Sequence, residues 1–290
     1  MSELTKRTIS GALYVAVIVA SILLNSTVFG LLAAVLAVLG VRELMVMEGA
    51  EKRDIVCACI GAALLFCAAL SVKNIGKVTS LCILVLYIVY ILAYCIAELR
   101  RKEINPVKHI GLLIVSQLWI VMPFAVMYFT AVASKMLLLM LFITVWVNDT
   151  GAYCVGMLTA KLPGGNHKMS PRLSPKKSWE GLIGGILFSV AAGCVCVAVG
   201  WGDEFGINAT EFTSFLIAAA VAVLTAIAAT LGDLAESAVK RNAGVKDSGR
   251  FLPGHGGVLD RFDSMLFVAL FVFVVAIVFL TVDSIIYISC

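Results

Sequence analysis

LGDLAESAVKRNAGVKDSGRFLPGHGGVLDRFDS, residues 231–264, lies between two long apolar runs, and its reading decides the fold. Asp233, Glu236, Lys240, Arg241, Lys246, Asp247, Arg250, His255, Asp260, Arg261 and Asp263 crowd into it, with Gly244, Gly249, Gly254, Gly256, Gly257 and Pro253 between them. Each flanking run approaches the roughly 20 apolar residues that a helix needs to cross a bilayer. The stretch is therefore a polar connection between two membrane helices. A solvated loop would satisfy that description. Carboxylates, cations and a flexible backbone at this density also suit a metal-bound polyphosphate.

The rest of the chain supports the membrane reading. It is 61% hydrophobic and 14% charged, with a mean hydropathy of +1.04, whereas a soluble domain is about 45–50% apolar and about 25% charged. Strand-like alternation is absent, which argues against a barrel. The expected class is all-α, a polytopic integral membrane protein with about nine transmembrane helices. No basic block resembles a nucleic-acid-binding surface. The first apolar run follows Lys6 and Arg7 and lacks a small-residue cleavage site, so it reads as a first span rather than a cleaved signal. The nine cysteines fall mostly inside apolar runs and read as small hydrophobes.

Spans are expected near 8–25, 27–47, 54–72, 77–97, 108–132, 135–158, 180–200, 212–235 and 262–285. With the N-terminus cytoplasmic, only Lys73, Lys77 and Lys135 of the 22 lysines and arginines fall outside. This is the bias of the positive-inside rule. The long polar loops 159–179 and 236–261 then face the cytoplasm. The organisation expected is a single membrane domain over 1–290, with N-terminal helices in 1–132 and catalytic helices and cytoplasmic loops in 133–290. Gly181, Gly184 and Gly185 suit close helix packing.

Four places offer chemistry. Asp149, in VWVNDTGAYCVG, is an ionisable residue near the end of a span, where charge is expensive. Lys176 and Lys177 precede a helix that Ser178 and Glu180 mark by capping, so their charge adds to a helix end that already favours anions. Asp233, Glu236, Ser237 and Lys240 recur at helical spacing on one face, as a metal-and-phosphate site or as a self-neutralising ladder. Gly256 and Gly257 permit close backbone approach before Asp260 and Asp263, which share a face of the last helix or cap it.

The run S-x-x-K-R-x4-K-D-x-G-x2-L-P-x-H-G-G-V-x-D-R-F-D, from Ser237 to Asp263, resembles the signature of the phosphatidate cytidylyltransferase family, the CDP-diglyceride synthases. NDTGAY around Asp149 and SPKKSWEG around Lys176 are similar to two further blocks of that family, in the same order. Ser178 stands where the family commonly has threonine, and the loop 156–170 is less typical. The resemblance implies a bacterial-type enzyme of the cytoplasmic membrane that joins CTP and phosphatidate to give CDP-diacylglycerol and pyrophosphate. It further implies Mg²⁺, alone or with a second cation, and a homodimer. Asp233, Lys240, Asp260 and Arg261 are the implied catalytic set, and Asp233, Asp260 and Asp263 the implied metal set. Lys176, Lys177, Ser237, Arg241, Lys246, His255, Gly256, Gly257 and Asp149 are assigned to substrate. His255 is read as positioning rather than as a base, because a phosphate monoester, with a second pKa of about 6, is already mostly dianionic at neutral pH. A CTP-dependent kinase of a lipid alcohol, or a secondary transporter, stays open as an alternative. The transporter lacks the visible internal repeat expected of that class.

Overall fold

The computed structural model describes residues 3–101, 105–203, 209–249, 251 and 256–289, with side chains described between 8 and 278. The chain is an all-α polytopic membrane protein. Its helices are α1 (Glu3–Leu24), α2 (Ser26–Met47), α3 (Lys52–Asn74), α4 (Lys77–Leu99), α5 (Pro106–Ser116), α6 (Met122–Ala133), α7 (Lys135–Thr159), α8 (Trp179–Ala198), α9 (Phe212–Asn242) and α10 (Leu259–Ser289). Among the described residues, eight helical stretches are long and apolar enough to cross a membrane, and Thr8–Leu24 is a shorter apolar helix. These nine coincide with the nine expected spans.

Two local features depart from the sequence reading. The span expected over 108–132 contains a π-helical turn, Gln117–Val121, between α5 and α6. Pro123 follows it and has no N–H to donate back to the preceding turn, and a π-turn accommodates such a gap. The loop after α7 contains a short antiparallel hairpin, β1 (Lys168–Ser170) with β2 (Ser174–Ser178). The chain has no alternating apolar pattern there, so periodicity gave no warning of it.

The chain divides into two compact units. In the first, comprising 1–133 and 240–262, α2 is central and packs on α1, α3, α5, the π-turn and α6. Phe29, Phe66, Phe124 and Tyr128 are fully buried there. Phe262 is anchored between Tyr14, whose ring centroid is 5.7 Å away, and Phe124, at 4.9 Å. By contrast, α4 buries only 6% of its apolar window, as suits a helix that faces lipid.

The second unit, comprising 134–239 and 263–290, is built on the pairing of α7 with α8. Small residues make the approach possible. A Cβ at Gly184 would stand 2.5 Å from Val155, and one at Gly185 would stand 2.5 Å from Asn148 Oδ1. No real Cβ tolerates such distances, so both positions have to be glycine at this helix separation.

Candidate active site

The helix α9 carries the polar stretch past the membrane. Its 31 residues extend about 46 Å at 1.5 Å per residue, against a hydrocarbon core of about 30 Å. The apolar body therefore fits the bilayer and the polar end beyond Leu231 projects to the rim.

In the second unit, Asp233 and Glu236 of α9 and Asp263 of α10 gather, with one ligand oxygen from each within 4.8 Å of the others. Glu236 is 1% exposed. The two helices meet closely because residue 232 is glycine: a Cβ there would collide with the Asp263 carbonyl and stand 3.1 Å from Phe267 Cβ. Lys177, the last lysine of β2, places Nζ 2.7 Å from Asp233 Oδ2 and 3.2 Å from the Thr230 carbonyl. Ser237 Oγ lies 3.3 Å from Asp233 Oδ1, and the Ser264 amide donates to Asp263 Oδ1 at 2.6 Å. This acidic group has the composition of a cation site, three carboxylates and oxygen donors throughout.

The hairpin that delivers Lys177 is tied to the start of α8. Ser178 caps α8, its Oγ accepting from the Gly181 amide at 3.1 Å. Glu180 reaches back to the His167 amide at 3.0 Å and to His167 Nδ1 at 2.6 Å. Lys176 alternates to the exposed side of the strand, while Lys177 is half-buried. On α7, Asp149 is exposed and accepts from Asn148 Nδ2 at 3.2 Å.

In the first unit, the other half of the polar stretch closes on Asp260. Its Oδ1 accepts from Lys240 Nζ at 2.6 Å. Its Oδ2 accepts from the amides of Ser248, at 2.8 Å, and Gly257, at 2.7 Å, and lies 3.0 Å from Ser248 Oγ. Gly256 has φ +87°, a left-handed conformation that favours glycine. The Arg261 carbonyl accepts from Tyr14 Oη at 3.2 Å, while Arg241 turns Nη1 to the Val245 carbonyl at 3.0 Å. Lys246 is exposed. His255, with Arg250, Pro253 and Gly254, lies outside the described residues.

The structure thus brings Asp233 and Asp263 together within one unit and adds Glu236, which shares the Asp233 face but was left out of the expected metal set. Asp260 is engaged within the other unit, with Lys240. Sequence reading also missed Glu43, on α2, whose carboxylate accepts from the amides of Val258, at 2.9 Å, and Leu259, at 3.0 Å. A signal for it existed. Glu43 lies near the C-terminal end of its helix, where the dipole disfavours an anion, so a partner from elsewhere was to be expected.

A polytopic membrane protein with a carboxylate cluster at the rim of its helices is the class that fold and site define. The chain belongs to the cytidylyltransferase family, which it matches over residues 5–279. It is 44% identical over 144 residues to a phosphatidate cytidylyltransferase of Staphylococcus haemolyticus, covering 49% of this chain and 50% of the relative. With the Staphylococcus aureus protein of the same name it shares 45% identity over 127 residues, 44% of each chain. With that of Haemophilus influenzae it shares 42% over 129 residues, 44% of this chain and 41% of the relative. The chain spans about half the length of the curated relatives it matches.

Proposed function

We propose that this protein transfers the cytidylyl group of CTP to phosphatidate, forming CDP-diacylglycerol and releasing pyrophosphate. The reaction takes place at the cytoplasmic face of a bacterial cytoplasmic membrane, in a homodimer whose N-termini face the cytoplasm. The observation that carries the reading is the gathering of Asp233, Glu236 and Asp263 within 4.8 Å, in a chain that matches the family over 5–279.

Charge is the main obstacle to this reaction. Two unit charges 4 Å apart repel by about 4 kcal/mol at an effective dielectric of 20, and CTP meeting phosphatidate brings several such pairs. Lys177, Lys240, Arg241, Lys246 and Arg261 are the cations assigned to offset them, with Lys176 at the outer edge. Asp233, Glu236 and Asp263 would hold Mg²⁺, a hard cation that takes oxygen ligands. When bound, it would neutralise charge on the triphosphate. Asp260 keeps its place in the catalytic set by holding Lys240, and Ser237 by its contact with Asp233. Asp149, His255, Gly256 and Gly257 stay assigned to substrate.

An oxygen of the phosphatidate phosphate attacks the α-phosphorus of CTP. The bond to the bridging oxygen breaks, and pyrophosphate leaves with the electron pair. The attacking oxygen is already anionic at neutral pH, since the second pKa of a phosphate monoester is about 6, so no general base is required. Positioning and electrostatics carry the rate. The acyl chains stay in the bilayer while the phosphate reaches the rim, and CTP arrives from water.

The test uses purified protein in detergent with phosphatidate, Mg²⁺ and CTP labelled at the α-phosphate. Label should enter the lipid fraction with release of one pyrophosphate. Label recovered in water as CDP would instead mean γ-phosphate transfer, and no reaction with phosphatidate would end the proposal.

A further inference from the structure

We propose that Glu43 is a positioning residue for the catalytic segment, a clamp supplied by α2 that fixes Ser248, Gly249, Gly257 and the first turn of α10. This rests on the cytidylyltransferase reading above. Glu43 is 8% exposed, and a carboxylate buried to that degree needs hydrogen-bond donors. Among the described residues, its donors come from the polar stretch more than 200 positions away in sequence: the Val258 amide, the Leu259 amide and Ser248 Oγ, the last at 3.0 Å. The two amides open α10 and have no partner within their own helix. Glu43 therefore acts as an N-terminal cap from outside the helix.

Two glycines of the stretch are explained by the same carboxylate. Neither Gly249 nor Gly257 has a positive φ, so backbone conformation does not require glycine at either position. Space does. A Cβ at Gly249 would stand 2.5 Å from Glu43 Oε1, and one at Gly257 would collide with Oε2. Gly249 and Gly257 are the walls of a slot filled by Glu43.

The clamp connects to the catalytic groups through one hydroxyl. Ser248 Oγ lies 3.0 Å from Glu43 Oε2 and 3.0 Å from Asp260 Oδ2. With one proton, it donates to one of these carboxylates at a time. Asp260 in turn holds Lys240 at 2.6 Å. Glu43 thus sets where Lys240 and Asp260 stand while touching no substrate itself.

Kinetics of Glu43→Ala, Glu43→Gln and Gly249→Ala, with CTP varied, test this. Glu43→Ala should lower kcat by about 30-fold, the scale of losing a hydrogen bond to a charged group, and raise the KM for CTP in the folded fraction. Glu43→Gln keeps one acceptor and should recover part of both. Gly249→Ala should damage the enzyme that has Glu43 and cost little in Glu43→Ala, where the slot is empty. Wild-type kinetics in folded Glu43→Ala, or a Vmax that falls only with the amount of folded protein while KM stays fixed, would overturn the proposal. Should Glu43→Ala fail to fold, Gly249→Ala decides by itself: an unchanged KM and kcat would overturn it. Hydrogen exchange at the Val258 and Leu259 amides supplies a readout independent of activity. Protection in the wild type that Glu43→Gln weakens supports the clamp, and equal protection in both overturns it. A wild-type protein that transfers no cytidylyl group would end the functional reading and leave this exchange result standing.

Discussion

Among the described residues, two clusters gather potential ligand atoms, one of two carboxylates and a histidine and one of three carboxylates, and they differ in the cations that meet them. Asp54, Glu98 and His109 bring ligand atoms within 4.8 Å of one another, as do Asp233, Glu236 and Asp263. In the first cluster both carboxylates are fully buried and closely matched. Glu98 meets Arg53 at 2.5 Å and Arg101 at 3.1 Å, and Asp54 meets His109 at 2.6 Å and the Tyr94 hydroxyl at 3.1 Å. Arg101 also meets Glu51 at 2.9 Å, which raises the guanidinium pKa further. Planar, permanently charged guanidinium groups hold that arrangement from several directions. In the second cluster Asp233 is met by Lys177 at 2.7 Å, an ammonium on a flexible stem. A guanidinium fork secures a carboxylate pair as structure, whereas an ammonium can withdraw when a ligand arrives. The comparison supports holding helices together as the role of the first cluster and, on the function proposed above, a place in the chemistry for the second.

The largest expected effect separates these assignments. Asp233→Asn and Asp263→Asn should each lower cytidylyl transfer by about a thousand-fold, the upper range for removing one electrostatic contributor. The melting temperature should move little. An active Asp233→Asn enzyme would remove the second cluster from the mechanism. Glu98→Ala should do the reverse. It leaves Arg53 and Arg101 without their buried partner and should destabilise the protein by about 3 kcal/mol, the lower end for a broken buried pair because Arg53 is 44% exposed. Unfolding measurements read the loss, and activity per folded molecule should stay near wild type. A selective loss of activity in Glu98→Ala would dissolve the contrast.

A smaller effect tests the closeness of the helices that build the second cluster. Gly232→Ala adds a methyl group where the Asp263 carbonyl and Phe267 already stand, and overpacking of this kind costs about 1–3 kcal/mol. The helices would separate at the level of Asp233 and Asp263. The expected readout is a higher Mg²⁺ requirement together with a modest fall in stability. An unchanged Mg²⁺ requirement would mean that the approach at Gly232 does not set the ligand spacing.

Much of this was legible in the sequence, and the physics explains which parts. The spans could be read because burial in lipid accumulates over about 20 residues and tolerates local exceptions. The Ser178 cap could be read because its bond to the Gly181 amide is three residues long. The facing of Asp233 and Glu236 followed from helical spacing. What escaped depends on pairings that no local pattern encodes. Glu43 and Val258 are 215 positions apart. His109 closes on Asp54 across 55 positions. Glu180, expected to help mark the start of its own helix, also reaches His167 and so ties the hairpin that the loop conceals. Asp260 and Asp263 look alike on one helical face, yet their bonded partners differ: Asp260 holds Lys240 and the Ser248 loop, whereas Asp263 joins the carboxylates of α9.

The finest test exchanges the cations between the clusters. Lys177→Arg would place a planar fork beside Asp233, and a bidentate pair there yields to an incoming cation less readily than an ammonium does. The expected result is a rise of about tenfold in the Mg²⁺ concentration that gives half-maximal rate, equivalent to about 1.4 kcal/mol, with kcat recovering at saturating Mg²⁺. Arg101→Lys is the reciprocal change. An ammonium cannot span Glu98 and Glu51 as the guanidinium does through Nη1 and Nη2, so stability should fall by about 1 kcal/mol while the Mg²⁺ requirement stays unchanged. If both exchanges proved silent, the number of charges would matter and their shape would not. A selective response, metal affinity in one case and stability in the other, would trace the division of labour to the choice of arginine or lysine beside each carboxylate group.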